Sequence, residues 1–172
     1  MQKIIVAAKS DNQVIGKEND LVWHLPADLR FFMSTIEGAY LATGRKSFES
    51  AQGEEVFGPH REFVIITRNK NYQSDIGKIV HSLEAAIQLA ENDGAARLCI
   101  LGGATIYEAA MDLADTMILT EVHAHFEGDT FFPTIDTTKW KEVSRIRHAK
   151  DAENDYAYSF VVYEKIKVLA KK

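Results

Sequence analysis

The chain has 172 residues, of which 46% are hydrophobic and 26% charged, the balance of an ordinary folded domain with a full core, and this excludes intrinsic disorder. With 20 basic and 25 acidic residues the net charge is −5, which argues against a broad nucleic-acid-binding face but leaves room for a local basic pocket. No apolar run approaches a membrane span, the N-terminus shows no signal-peptide pattern, and the single Cys99 excludes an intrachain disulfide and suits the cytoplasm.

Lys3 to Lys9 is a short apolar run without alternation and reads as a buried central strand. Ser10 to His24 is a long polar loop punctuated by Gly16, of a length usually kept for function. Pro26 suits the first position of a helix, which runs to about Gly38. At 100° per residue Leu25, Leu29, Phe32, Met33 and Ile36 share one face of that helix, with Asp28 at its edge. An acidic residue in a first turn also serves the helix dipole, so Asp28 decides nothing alone.

Ala39 to Thr43 is a second apolar run, followed by a short helix opened by Gly44-Arg45-Lys46-Ser47 and reaching about Ala51. Gln52 to Glu62 reads as a loop, Phe63 to Thr67 as a strand, Arg68 to Asn71 as a basic turn and Lys78 to His81 as a short strand. Ser82 caps a helix over Leu83 to Asn92, with Gly94 just past its end. Strands follow at Arg97 to Leu101 and Thr116 to Val122, with a helix between them from Gly102-Gly103-Ala104-Thr105 to about Met111. Lys141 to Arg147 and Tyr156 to Glu164 form a terminal antiparallel pair. Alternating strands and helices imply one α/β domain over residues 1–166, ending in a flexible tail at 167–172.

Three strand ends are suited to anions. The Gly102-Gly103 turn can offer backbone N–H groups. Arg45 and Lys46 place cations at the positive end of a helix, which is unfavourable unless an anion binds there. Thr67-Arg68 adds a hydroxyl and a further cation. No G-x-G-x-x-G fingerprint, Walker lysine or nucleophile elbow is present. His123 and His125 would share one side of a strand, but no further ligand follows at zinc spacing, so no metal site is expected.

Read in order, Ala7-Ala8, Val14-Ile15-Gly16, Trp23-His24-Leu25-Pro26-Ala27-Asp28-Leu29, Gly44-Arg45-Lys46-Ser47-Phe48-Glu49-Ser50, Arg61, Thr67, Gly102 to Tyr107, Thr120 and Glu127-Gly128-Asp129-Thr130-Phe131-Phe132-Pro133 resemble dihydrofolate reductases over nearly the whole chain. The W-x-L-P-x-D-L and G-D-T-x-F-P pieces are the specific ones. The resemblance implies a dihydrofolate-reductase-like domain: a mostly parallel sheet of about eight strands with an antiparallel C-terminal edge, flanked by about four helices. It implies reduction of 7,8-dihydrofolate by NADPH, with Asp28 holding the pterin 2-amino group and N3 and promoting protonation of N5. Trp23 would hold a water near Asp28, and Leu21 would belong to a loop closing over the nicotinamide. Val6, Ala7, Phe32, Leu101 and Tyr107 would line the substrate site, with Thr120 behind Asp28 and Arg61 on the glutamate carboxylate. Ala8, Ile15, Gly16, Gly44, Ser47, Gly102, Gly103, Ala104, Thr105, Ile106 and Tyr107 would surround the cofactor, and Arg45, Lys46, Thr67 and Arg68 its 2′-phosphate. A cis peptide is implied between Gly102 and Gly103. Antifolate binding, a monomer, a cytoplasmic location and no nucleic-acid or membrane partner complete the expectations. The sequence departs from the pattern at Val22, where Pro is frequent, at Ala104, where Gly is frequent, and over residues 51–60, which are longer and more acidic. The related reductase of riboflavin synthesis and a silent binding module are the alternatives. Asp28 in its motif favours the first reading over the riboflavin enzyme, and its presence with the glycine pair favours it over the silent module.

Overall fold

The computed structural model describes residues 1–50, 53–57 and 62–167. In chain order the elements are β1 (Gln2–Ser10), β2 (Val14–Gly16), α1 (Pro26–Ile36), β3 (Tyr40–Gly44), α2 (Arg45–Phe48), α3 (Gly53–Val56), β4 (Phe63–Ile66), β5 (Lys78–Val80), α4 (Leu83–Asn92), β6 (Arg97–Ile100), α5 (Ala104–Ala110), β7 (Thr116–Val122), β8 (Thr130–Phe131), β9 (Trp140–His148) and β10 (Tyr158–Lys165). Eight strands form one sheet in the order β5-β4-β3-β6-β1-β7-β10-β9. Every pairing from β5 to β7 is parallel, and β10 and β9 close the sheet antiparallel. The expected architecture is therefore present, with α1, α4 and α5 as the longer helices and α2 and α3 as single turns.

The apolar runs lack alternation because both faces of the sheet are covered. In β1, Ile5 and Ala7 join α4 and α5 on one face, where Leu83, Ala86, Ala90, Tyr107 and Ala110 are buried. Ile4 and Val6 point the other way, toward Ile36 of α1 and Val56 of α3. Helix α4 starts as its sequence specifies, the Ser82 hydroxyl accepting from the Ala85 N–H at 3.0 Å. The chain folds the C-terminal ends of β1, β3, β6 and β7 to one edge of the sheet, where open α/β sheets place their ligands.

Three local expectations change. The loop expected from Gln52 to Glu62 contains α3. The loop from Ser10 to His24 contains β2, which pairs with β8 in a second, two-stranded sheet. Leu29, placed by periodicity on the packed face of α1, is 41% exposed, because that face divides between the core, taken by Ile36, and the wall of a cavity. Of the expected tail, residues 168–172 lie outside the described residues.

Candidate active site

A cavity of about 280 Å³ opens between α1, the C-terminal half of β1 and the segments that follow β3 and β6. Val6, Ala7 and Ala8 of β1, Ile118 and Thr120 of β7, and Leu101 and Tyr107 line one side. Asp28, Leu29, Phe31 and Phe32 of α1 line the other. Ile15, Gly16 and Leu21 come from the loop before α1, and Ser47 and Gly103 from two of the strand ends that sequence marked for anions.

Asp28 lies at the floor of this cavity among Trp23, Thr120 and Tyr107. Water reaches part of it, yet protein surrounds it, and that loss of solvation raises its pKa above the ordinary aspartate range. The Thr120 hydroxyl and then the Trp23 indole, which lies near the carboxylate but beyond direct hydrogen-bond distance, oppose the rise in part. The Trp23 Nε1 is buried with no direct hydrogen-bond partner among the described residues. Trp23 itself is held against Phe126, ring centres 5.3 Å apart, and Phe126 against Tyr156 at 5.1 Å. Burial also pushes the Tyr107 phenol up, with the Asp28 charge adding to it, so Tyr107 stays neutral and donates to the Val6 carbonyl at 2.8 Å.

The glycine turn meets the expectation: the Gly102–Gly103 peptide is cis. Gly102 has φ +105, and a Cβ there would lie 3.1 Å from the Tyr107 ring. A Cβ on Gly103 would stand 3.2 Å from the Ser47 hydroxyl oxygen. The Gly44 N–H donates to the Gly102 carbonyl at 2.6 Å, so the β3 and β6 ends are joined into one cradle beside the cavity. Backbone this close to Ser47 leaves no room for a side chain at position 103.

Gly44, Arg45, Lys46, Thr67, Arg68, Gly102, Ala104, Thr105 and Ile106 are not part of the cavity wall itself. Arg45 is held by Glu49 at 3.3 Å, one turn on, and its guanidinium carbon lies 5.8 Å from the centre of the Tyr72 ring. Lys46 and Arg68 are exposed. The Thr67 hydroxyl oxygen is turned back to accept from the Asn69 N–H at 3.1 Å. Arg61 lies outside the described residues. His123 and His125 fall beyond the end of β7. His123 bridges Ser159 at 2.7 Å and Asp11 at 3.2 Å, a structural tie, and no metal-binding group occurs among the described residues.

Sequence reasoning missed Val56 and Phe57, which close the outer cavity beside Phe32, because they sit in a stretch read as a loop. Their apolar character between Gly53 and Gly58 was the available signal. It also missed Asn19 of the loop before α1, which lines the mouth and donates to the Lys46 carbonyl at 3.0 Å.

Compared with known proteins, residues 3–165 match the family model described as dihydrofolate reductase. The dihydrofolate reductase of Staphylococcus haemolyticus is 38% identical over 163 residues, covering 95% of each chain. That of Bacillus subtilis (strain 168) is 36% identical over 160 residues, covering 93% of this chain and 92% of its own. The solved structure of the Enterococcus faecalis dihydrofolate reductase complexed with NADP(H) and RAB-propyl superposes with a TM-score of 0.85 at 33% identity, covering 96% of this chain and 97% of that one.

Proposed function

Since the chain belongs to the dihydrofolate reductase family, we propose that the cavity holds the substrate pterin on Asp28 and that the cradle of Gly44, Ser47, Gly102 and Gly103 receives the cofactor. The protein reduces 7,8-dihydrofolate to 5,6,7,8-tetrahydrofolate with NADPH. NADPH, when bound, supplies the hydride that pterin C6 accepts. The chain's own residues bind, orient and handle the proton.

The observation that carries the assignment of residues is the buried carboxylate. Asp28 has a depleted hydration shell and, among the described residues, no cationic partner within ion-pairing distance, a costly arrangement that a ligand rich in N–H donors would relieve. The pterin 2-amino group and N3 are such donors, spaced for the two oxygens of one carboxylate. A negative charge there also favours a proton on N5. The partnerless Trp23 N–H needs a small acceptor, which a water between it and the ligand supplies. Thr120 holds the carboxylate from behind. Phe32, Leu29, Val56 and Phe57 present an apolar slot for the benzoyl ring, and a guanidinium at Arg61 suits the glutamate carboxylate beyond it. Leu21, Ile15 and Gly16 cover the side of the cavity next to Ala8, where they exclude water from the reacting faces.

Arg45, Lys46 and Arg68 are the cations available to a 2′-phosphate. The same cavity would take antifolates that place an amidine or diamine on Asp28. A monomer in the cytoplasm fits the buried single thiol and the charged outer strand, and no helix among the described residues is long and apolar enough to cross a membrane. The deciding experiment is turnover of Asp28→Asn. It should fall by roughly 10²-fold or more at neutral pH and recover toward acid, as solution supplies substrate already protonated. Near-normal turnover with a flat profile would reduce Asp28 to a helix-dipole residue.

A further inference from the structure

Helix α1 carries Asp28, yet its N-terminus has no cap of its own. The N-cap position is Leu25, whose side chain has no oxygen to offer, and Pro26 contributes no N–H. The first free donor is the Ala27 N–H, adjacent in sequence to Asp28. It is met at 3.1 Å by the side-chain oxygen of Asn154, 127 residues away.

Asn154 is 1% exposed and lies in the connection between β9 and β10. Its amide cannot turn freely. The Nδ2 donates to Asp151 Oδ1 at 3.0 Å, and the same oxygen accepts from the Asn154 N–H at 2.8 Å and the Glu153 N–H at 2.9 Å. The Asp151 N–H returns a bond to the Asn154 carbonyl at 2.9 Å. With Nδ2 committed to Asp151, only Oδ1 can face α1. The carboxylate of Asp151 thus selects the amide orientation that caps the helix. The Arg30–Glu153 pair at 3.4 Å is more than half exposed on both sides and adds little.

We propose that Asn154, oriented by Asp151, is a positioning residue for the substrate site: it fixes the first turn of α1 and so the placement of the Asp28 carboxylate. It touches neither substrate nor cofactor. Removing it leaves the Ala27 N–H to water, and the first turn frays where Asp28 must hold its geometry. The cofactor cradle hangs on β3 and β6 and does not depend on this contact. Loss of Asn154 therefore weakens one ligand and spares the other.

This inference rests on Asp28 being the pterin carboxylate. It is tested by measuring dissociation constants of dihydrofolate and NADPH separately, together with amide exchange at Ala27, for Asn154→Ala, Asp151→Ala and the double variant. In Asn154→Ala the Ala27 amide should exchange faster and the dihydrofolate constant should rise by about fivefold, the worth of one cap, with NADPH within about twofold of wild type. Asp151→Ala, at an exposed position, should give the same split, and the double variant should be no worse than Asn154→Ala because both act through one bond. As a control for stability alone, Ala90→Gly on the opposite face of the sheet should leave both constants unchanged at a matched loss of Tm. Unchanged dihydrofolate binding, a parallel loss of both ligands, additive effects, or the same split in Ala90→Gly would each overturn the proposal. If Asp28→Asn keeps its turnover, the underlying reading of the site fails whatever Asn154 does. If Asp28→Asn is inactive and Asn154→Ala binds normally, only the positioning role fails.

Discussion

At the scale of single residues the protein places the Asp28 carboxyl where the surrounding protein strips away much of its water. Burial holds the Asp28 carboxyl above its ordinary range, so the folded chain keeps a proton that the unfolded chain has already lost. Stability contributed at this position therefore falls as pH rises through that window. Asp28→Asn, which removes the buried charge, should leave the ligand-free protein more stable than wild type above the ordinary aspartate pKa, by a margin that grows with pH and then levels. Urea midpoints for both proteins from about pH 4 to pH 8 read this directly, and a constant difference would mean that the site does not shift the carboxyl. The basic residues near the cradle are the counterpart. The Arg45–Glu49 pair is partly exposed and contributes little to folding, so Arg45→Ala should change stability by no more than about 0.5 kcal/mol. If Arg45 meets the 2′-phosphate, the same change should narrow the preference for NADPH over NADH in kcat/KM by about tenfold, the worth of one charge-assisted bond. Equal preference before and after would assign Arg45 to Glu49 alone.

At the scale of elements, the segment before α1 is tied down by β8 and its flanks. Val14 pairs with Phe131 and Gly16 with Thr130, and the Asp129 N–H donates to the Gly16 carbonyl at 3.1 Å. Past the strand, Lys17 and Asp20 exchange both backbone bonds at 3.0 Å around Glu18 and Asn19, which have φ of +51 and +62. The Glu18 N–H donates to the Asp129 carboxylate at 2.9 Å, and this bond and the Thr130 hydroxyl hold Asp129 below the usual carboxylate range. Asp129→Ala should therefore speed amide exchange at Glu18 by roughly fivefold. Because Leu21 covers the cavity from this segment, turnover should fall with it, while the pH dependence of turnover proposed for Asp28 should keep its position. Unaltered exchange at Glu18 would show that the small sheet holds the turn without Asp129.

At the scale of the whole molecule, burial is uneven across the sheet. β1 lies between β6 and β7, and its Ile4, Ile5 and Val6 are almost wholly enclosed. At the outer edge β9 buries only Trp140 and leaves Val143 45% and Ile146 56% exposed. Lys141, Arg145 and Arg147 along that edge discourage pairing with another strand. Native-state exchange should show β1 amides opening only with global unfolding and β9 amides opening earlier, with a smaller dependence on denaturant. Matching behaviour in both strands would mean that the β9–β10 hairpin is part of the same cooperative unit.

What the sequence by itself determined were the features written in neighbouring residues. The apolar runs became β1, β3, β4, β6 and β7, Pro26 opened α1, and Ser82 capped α4, because period, ring constraint and cap chemistry act within a few positions. The paired specific motifs carried the family, and with it the choice of Asp28 and the glycine cradle. The tertiary structure alone decided what depends on distant partners. Leu29 went to a cavity wall because α1 faces both core and cleft, which helical period cannot distinguish. α3 formed where Val56 and Phe57 found Phe63 and Phe48 to pack against. His123 was satisfied by Ser159 and Asp11, and the N-terminus of α1 by Asn154. Such bonds join positions up to 127 residues apart, so no local pattern encodes them; they exist because the order of strands in the sheet brings those backbones together.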